Sequence, residues 1–152
     1  MATFEDLQIL KSAETLADAI WKQVSQWDDF AKDVVGKQLT RAADSIGANI
    51  AESLGRYNFG EKLQFLYYSR GSLFETKYWL NRAQARGLMN PGEVSGYADN
   101  LTALARQLNA FASGLKTVRA EQSGKKSVHG PAAQYTVEEH LFTEEDLLFL
   151  TN

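Results

Sequence analysis

The stretch that decides the fold is residues 94–118, VSGYADNLTALARQLNAFASGLKTV. Its large apolar residues recur at alternating steps of three and four; they are Val94, Tyr97, Leu101, Leu104, Leu108, Phe111, Leu115 and Val118. One face of an α-helix has this period, and a stripe kept over several heptads is typical of a helix packed nearly parallel to its neighbours. The sequence therefore predicts a long helix that belongs to a helical bundle.

Three further helices are predicted upstream of this stretch. The first begins at Thr3, whose hydroxyl is followed by two acids, and the second runs to Gly55. The third follows the capping residue Asn58 and ends before Gly87. Their apolar stripes are Leu7, Leu10, Ala13, Ala17, Ile20, Val24 and Trp27; Val35, Leu39, Ala42, Ala43, Ile46, Ile50 and Leu54; and Leu63, Leu66, Tyr67, Leu73, Phe74, Leu80 and Ala83.

Short connections between these helices predict an all-α, up-down-up-down four-helix bundle. Asn90 followed by Pro91 marks the start of the fourth helix. Beyond about residue 120 the composition changes, so we divide the chain into a bundle (1–120) and a linker with an acidic and apolar tail (121–152). Thr143 with Asp146 predicts a cap for a short terminal helix.

The charge of the chain is divided unevenly between these two parts. Of 152 residues, 16 are basic and 19 acidic, for a net charge of −3. Residues 1–120 hold 14 basic and 13 acidic residues, a net charge of +1, whereas residues 121–152 hold 2 and 6, a net charge of −4. The acidity therefore belongs to the tail, and it argues little against an anionic partner of the bundle.

Several function classes are not expected from the composition. With no cysteine the chain has no disulfide, thiolate metal site or cysteine nucleophile. It has no apolar run long enough to span a membrane and no secretory signal pattern, so we expect a cytoplasmic protein. His129 and His140 are too far apart to suggest a shared metal site. We expect no cofactor, no metal and no catalytic residue.

A candidate polar cluster combines residues of the second and third helices. Steps of four, three and four place one group on one side of the second helix, and the other group lies on the third; the residues are Ser45, Asn49, Glu52 and Arg56, then Arg70, Ser72 and Glu75. The cluster is either a ligand or partner site, or a hydrogen-bond network that fixes helix register or joins subunits. The second explanation is the commoner one for such residues.

Two features suggest contact with further copies of the chain. Ala43, Gly47 and Ala51 form a small-residue stripe that admits a close neighbouring helix. Tyr68, Tyr78 and Trp79 exceed what one buried stripe of the third helix can hold. Because tyrosine and tryptophan are frequent in interfaces, we expect a homo-oligomer.

The tail carries a candidate docking segment. Acids precede the run Leu147, Leu148, Phe149 and Leu150, which is typical of a short amphipathic helix that places its apolar side in a groove. That groove could belong to the same bundle, to a neighbouring subunit or to another protein. A disordered terminus is the alternative.

Two blocks of the sequence resemble those of a known family. The first comprises QLTRAADSI (38–46), NIAE (49–52) and GR (55–56), and the second is FLYYSRGSLFE (65–75). Together they resemble the four-helix-bundle family of 23S rRNA-intervening sequence proteins. Ser53 and Leu54 stand where the family usually has glycine after the glutamate.

The resemblance implies a left-handed bundle that assembles as a homopentameric ring and has no established enzymatic activity. A related branch, the accessory variability proteins of diversity-generating retroelements, binds reverse transcriptase and nucleic acid. We therefore expect a non-enzymatic scaffold or adaptor, with nucleic-acid binding as the alternative. Basic residues available for that alternative are Lys62, Arg70, Lys77, Arg82, Arg86, Lys116 and Arg119.

Overall fold

The computed structural model describes residues 3–124 and 140–152 of the chain. Within those two ranges the chain is helical and contains no strand. His129 and most of the linker expected after residue 120 lie outside the described residues.

Five helices follow one another along the chain. They are α1 (Phe4–Val24), α2 (residues 29–55, made of Asp29–Ala31, a π-helical turn Lys32–Gly36, and Lys37–Gly55), α3 (Phe59–Ala85), α4 (Pro91–Gly124) and α5 (Glu144–Thr151). The helical pattern predicted by the sequence is therefore confirmed. Helix α2 begins at Asp29 because the Asp28 carboxylate accepts a hydrogen bond from Ala31 N. One boundary differs from the prediction, since α4 continues past residue 120.

The helix ends are fixed by the capping residues that the sequence predicted. Thr3 and Thr143 each form a reciprocal capping box with the aspartate three residues later. Asn58 Oδ1 accepts from Gly60 N at 2.7 Å, and Asn90 Oδ1 accepts from Glu93 N at 2.8 Å.

The end of α3 requires a glycine. Gly87 has φ of +74°, a conformation that L side chains rarely adopt. Leu88 N donates to Ala83 O at 2.8 Å and Gly87 N donates to Gln84 O at 3.1 Å, which is the Schellman arrangement. The turn satisfies carbonyls that the last turn of α3 would otherwise leave unpaired.

One apolar core joins the four long helices and the residues around α5. Its fully buried large side chains are Ile20, Leu39, Ile46, Ile50, Leu66, Leu73, Leu80, Leu101, Leu104, Leu108 and Phe142. Three positions of the predicted stripes are wrong, since Leu7, Tyr67 and Val118 are exposed. On α1 the buried arc instead includes Ile9 and Leu16.

The contacts between helices define four seams. α1 packs against α2 and α4, α2 packs against α3, and α3 packs against α4. The short helix α5 lies on α4 and α3, so it covers the seam between them. A groove follows the outside of the α1/α2 seam.

Close packing of α1 on α2 depends on Gly36. A Cβ at this position would lie 2.7 Å from Val24 Cγ1, and Val24 is buried and β-branched, so it has little freedom to move aside. We expect Gly36→Ala to lower the free energy of unfolding by about 1–2 kcal/mol, as overpacking does, measured by urea denaturation.

Gly96→Ala is the matched control, because a Cβ there meets no atom within 4 Å. In an open helix interior alanine is favoured over glycine by up to about 1 kcal/mol. Equal effects of the two substitutions would contradict the close-packing argument.

Candidate functional site

The predicted polar cluster is not assembled as expected. On α2, Ser45 Oγ and Asn49 Nδ2 donate to carbonyls of their own helix, and Arg56 pairs with Glu52 at 3.0 Å. On α3, Ser72 Oγ donates to Tyr68 O, and Glu75 accepts a hydrogen bond from Trp79 Nε1. These bonds are local to one helix. A polar side chain can bind the preceding turn of its own helix as readily as a neighbouring helix, and its spacing in the sequence does not show which.

Other polar residues join α2 to α3. Ser69 Oγ, fully buried, donates to Ile46 O at 3.0 Å, and Ser53 Oγ donates to Lys62 O at 2.8 Å. Lys62 Nζ in turn donates to Ser53 O. Ser69 was missed by sequence reasoning, although a serine on the apolar stripe of a helix is a signal for a buried hydrogen bond.

The small-residue stripe on α2 faces α1 of the same chain. Ala43 is buried, and a Cβ at Gly47 would lie 3.5 Å from Ala13 Cβ. Ala51 is exposed in the groove beside them. At Ala43 and Gly47 the close neighbour is therefore a helix of the same chain. The sequence had predicted an interface with another copy at these residues.

The part of the groove beside this stripe is acidic. It has a volume of about 260 Å³ and is lined by Leu10, Ala13, Glu14, Ala17, Asp18, Asp44, Gly47, Ala48 and Ala51. Burial, and then the neighbouring Asp18 carboxylate, raise the pKa of Asp44 above its ordinary value. Asp44 is thus a carboxylate held where its negative charge is disfavoured.

The exposed side of α3 is aromatic. Tyr67, Tyr68 and Tyr78 are exposed, while Trp79 is partly buried against the core and stacks edge-on against Tyr78. The Arg82 guanidinium lies 5.9 Å from the Tyr78 ring centroid. The surplus of aromatic side chains predicted from the sequence is therefore found on the surface of the single chain.

The tail segment lies on the α3/α4 seam. Leu147 and Leu150 are buried there with Leu141 and Phe142, while Leu148 and Phe149 are exposed. Arg70 pairs with Asp146 at 3.4 Å, and Thr102 and Thr151 share a hydrogen bond at 2.8 Å. The Arg70 of the predicted cluster therefore faces the tail and not α2.

Burial and the groups around Asp146 shift the pKa of its carboxyl in opposite directions. Burial alone would raise the pKa of its carboxyl, but hydrogen bonds from Thr143 and the charge of Arg70 outweigh it, so the pKa is lowered. The ionised form of Asp146 is the form that both the cap and the ion pair stabilise.

The described residues contain neither a metal-binding group of side chains nor a membrane-spanning helix. In residues 3–124 and 140–152, no three His, Asp or Glu side chains are grouped so as to hold a metal ion. No helix in this part of the chain is both long enough and apolar enough to cross a membrane.

Comparison with models of known protein families gives a match. A family model described as 23S rRNA-intervening sequence protein matches residues 5–110. The match covers more than half of the chain, from α1 into α4, and ends before α5. No curated protein matches the chain.

Asp44→Asn tests the electrostatics of the α1/α2 groove. Because the pKa of Asp44 is raised in the folded chain, its charged form costs stability above that pKa, and the cost disappears as the pH falls through it. We expect the substitution to raise the thermal midpoint of unfolding at pH 7. This increase should become smaller as the pH is lowered. Asp99→Asn, at an exposed position of α4, controls for the loss of one negative charge.

The position of the tail predicts different effects at two of its leucines. Leu150 is fully buried, whereas Leu148 is 62% exposed. Leu150→Asp should release the tail and speed its cleavage in limited proteolysis by at least tenfold, since a buried unpaired charge is strongly unfavourable. Leu148→Asp should leave the cleavage rate unchanged, and equal sensitivity of the two variants would contradict this placement.

Proposed function

We propose that this chain, which belongs to the 23S rRNA-intervening sequence protein family, is a non-enzymatic scaffold or adaptor that assembles into a homopentameric ring. The observation that carries the proposal is the set of large apolar side chains that a single chain leaves exposed. Its members are Phe4, Leu7, Trp21, Phe30, Val34, Tyr57, Tyr67, Tyr68, Tyr78, Val118, Leu148 and Phe149. Exposed apolar side chains that gather into a patch mark interaction surfaces.

The four long helices are proposed to form a left-handed, up-down-up-down bundle. The connections span only residues 25–28, 56–58 and 86–90, and such short links favour antiparallel neighbours. The contacts α1–α2, α2–α3, α3–α4 and α1–α4 close a cycle, as a four-helix bundle requires. The handedness rests on the family resemblance.

Two separate surfaces support a ring over a simple dimer. One contains Trp21 on α1 and Phe30 on α2, which are 62% and 77% exposed. The other is the aromatic side of α3 with Tyr68 and Tyr78. An interface that joins one surface to a different surface of the next copy generates closed rings when the rotation closes. We therefore propose that the α1/α2 surface of one copy packs against the α3 surface of the next.

Nucleic-acid binding is the alternative function, and one cluster favours it. Around the α2–α3 connection, the Arg56 guanidinium lies 4.7 Å from the Phe65 ring centroid, and that of Arg119 lies 4.6 Å from the Phe59 ring centroid. Tyr57 beside them is fully exposed. Arginine interleaved with aromatic rings suits single-stranded RNA or DNA, and such binding weakens steeply with salt.

The ring is tested by light scattering coupled to size exclusion. We expect the wild-type chain of 16.9 kDa to elute at five times that mass. Trp21→Asp and Tyr78→Asp should each break the ring, because each places a charge in every interface. Gln107→Asp, at an exposed position of α4, is the control and should leave the ring intact.

Mixing the two disrupted variants tests which surfaces meet. The Trp21→Asp chain keeps its α3 surface and the Tyr78→Asp chain keeps its α1/α2 surface, so one intact interface remains between them. An equimolar mixture should form a heterodimer, whereas each variant alone stays at 16.9 kDa. If the wild-type chain is a monomer at micromolar concentration, the ring is overturned. If the wild-type chain forms the ring but the mixed variants form no heterodimer, the pairing of these two surfaces is overturned.

A further inference from the structure

The groove between α3 and α4 contacts both the backbone and the apolar side of the tail. Asn109 Nδ2 donates to Phe142 O at 2.9 Å, and Phe142 N donates to Asn109 Oδ1 at 2.7 Å. This pair of bonds reads the backbone and does not depend on the side chain at position 142. The apolar floor holds leucines three residues apart, Leu147 and Leu150.

Two cations of α3 line the same groove. Arg70 and Lys77 are seven residues apart, so they lie on one side of the helix two turns from each other. Arg70 meets Asp146 in the first turn of α5, and Lys77 Nζ donates to Phe149 O at 3.0 Å near its end. The positive side of the groove is therefore turned toward a helix whose first turn contains Glu144, Glu145 and Asp146.

The tail satisfies these cations incompletely. Lys77 is only 1% exposed, yet among the described residues no carboxylate oxygen lies within 4 Å of its amine. The amine meets one carbonyl and, 5.6 Å away, the centroid of the Phe149 ring. Arg70 Nε is also buried without a hydrogen-bond partner in the part of the chain that the structure describes.

We propose that the α3/α4 groove is a binding site for an acidic amphipathic helix of a partner protein, and that α5 is a weaker self-ligand that occupies it. The partner helix has an acidic first turn, leucines at the positions of Leu147 and Leu150, and a carboxylate where Phe149 stands in α5. This inference is independent of the ring, because the groove lies within one chain.

Tethering explains how a weaker ligand can hold the groove. Residues 125–139 connect the described parts of the chain, and a link of this length keeps a tethered segment at a high effective concentration. A free partner gains from a carboxylate opposite Lys77, since a charge-assisted hydrogen bond is stronger than one to a carbonyl. A partner helix must therefore bind the groove more tightly than the tethered α5 in order to displace it.

The test uses a labelled peptide of residues 140–152, HLFTEEDLLFLTN, and the full chain. By fluorescence anisotropy it should bind the Leu150→Asp chain, whose own tail is released, at least tenfold more tightly than wild type. Leu148→Asp is the matched control and should bind as weakly as wild type. Circular dichroism checks that each variant remains helical.

A second peptide tests the role of Lys77. The same peptide with Phe149→Glu should bind the Leu150→Asp chain at least threefold more tightly than the native peptide. Adding Lys77→Met to the chain should abolish that advantage while the native peptide still binds, which separates charge recognition from a folding defect.

Four outcomes would overturn the proposal, the last of them displacement by nucleic acid. The first is absence of peptide binding by a folded Leu150→Asp chain, and the second is equal binding of the native and Phe149→Glu peptides. The third concerns the occupant: exchange of tails between labelled wild-type copies would assign the groove to a second copy. Displacement of the peptide by a single-stranded oligonucleotide, and not by acidic helices, would assign it to nucleic acid.

Discussion

The structure depends on α4 having two buried sides. Its heptad stripe, which includes Leu101, Leu104 and Leu108, is buried in the common core. A second stripe runs beside it at the same steps, with the members Ala98, Thr102, Ala105, Asn109 and Ala112. Thr102 and Asn109 of this stripe bind the tail. Large side chains thus build the core, and small and polar ones leave room for α5.

Helix α3 is divided in a comparable way. Leu66, Leu73 and Leu80 are fully buried in the core, and the arc next to them holds Arg70 and Lys77 against the tail. The tyrosines occupy the remaining arc, which faces solvent in the single chain. The second buried side that the sequence suggested for this helix therefore exists, but a lysine and not the tyrosines fills it.

Local features of the fold could be predicted from the sequence, and long-range ones could not. The caps at Thr3, Asn58, Asn90 and Thr143 depend on residues no more than three positions apart, so their pattern is visible in the chain itself. The burial of Lys77 depends on a segment 72 residues later, and the spacing of charges gives no sign of it. The polar cluster failed for the same reason: periodicity shows which residues share a side of a helix, not what that side meets.

Electrostatics explains why one seam of the bundle is covered and another is open. The groove along the α1/α2 seam is lined by Glu14, Asp18 and Asp44, so an acidic helix placed there would bring like charges together. The α3/α4 seam presents Arg70 and Lys77 instead, and there the tail meets opposite charge, an apolar floor and the amide of Asn109. The acidic first turn of α5 therefore suits the α3/α4 seam and not the α1/α2 seam. The acidic groove, in contrast, stays uncovered in the single chain.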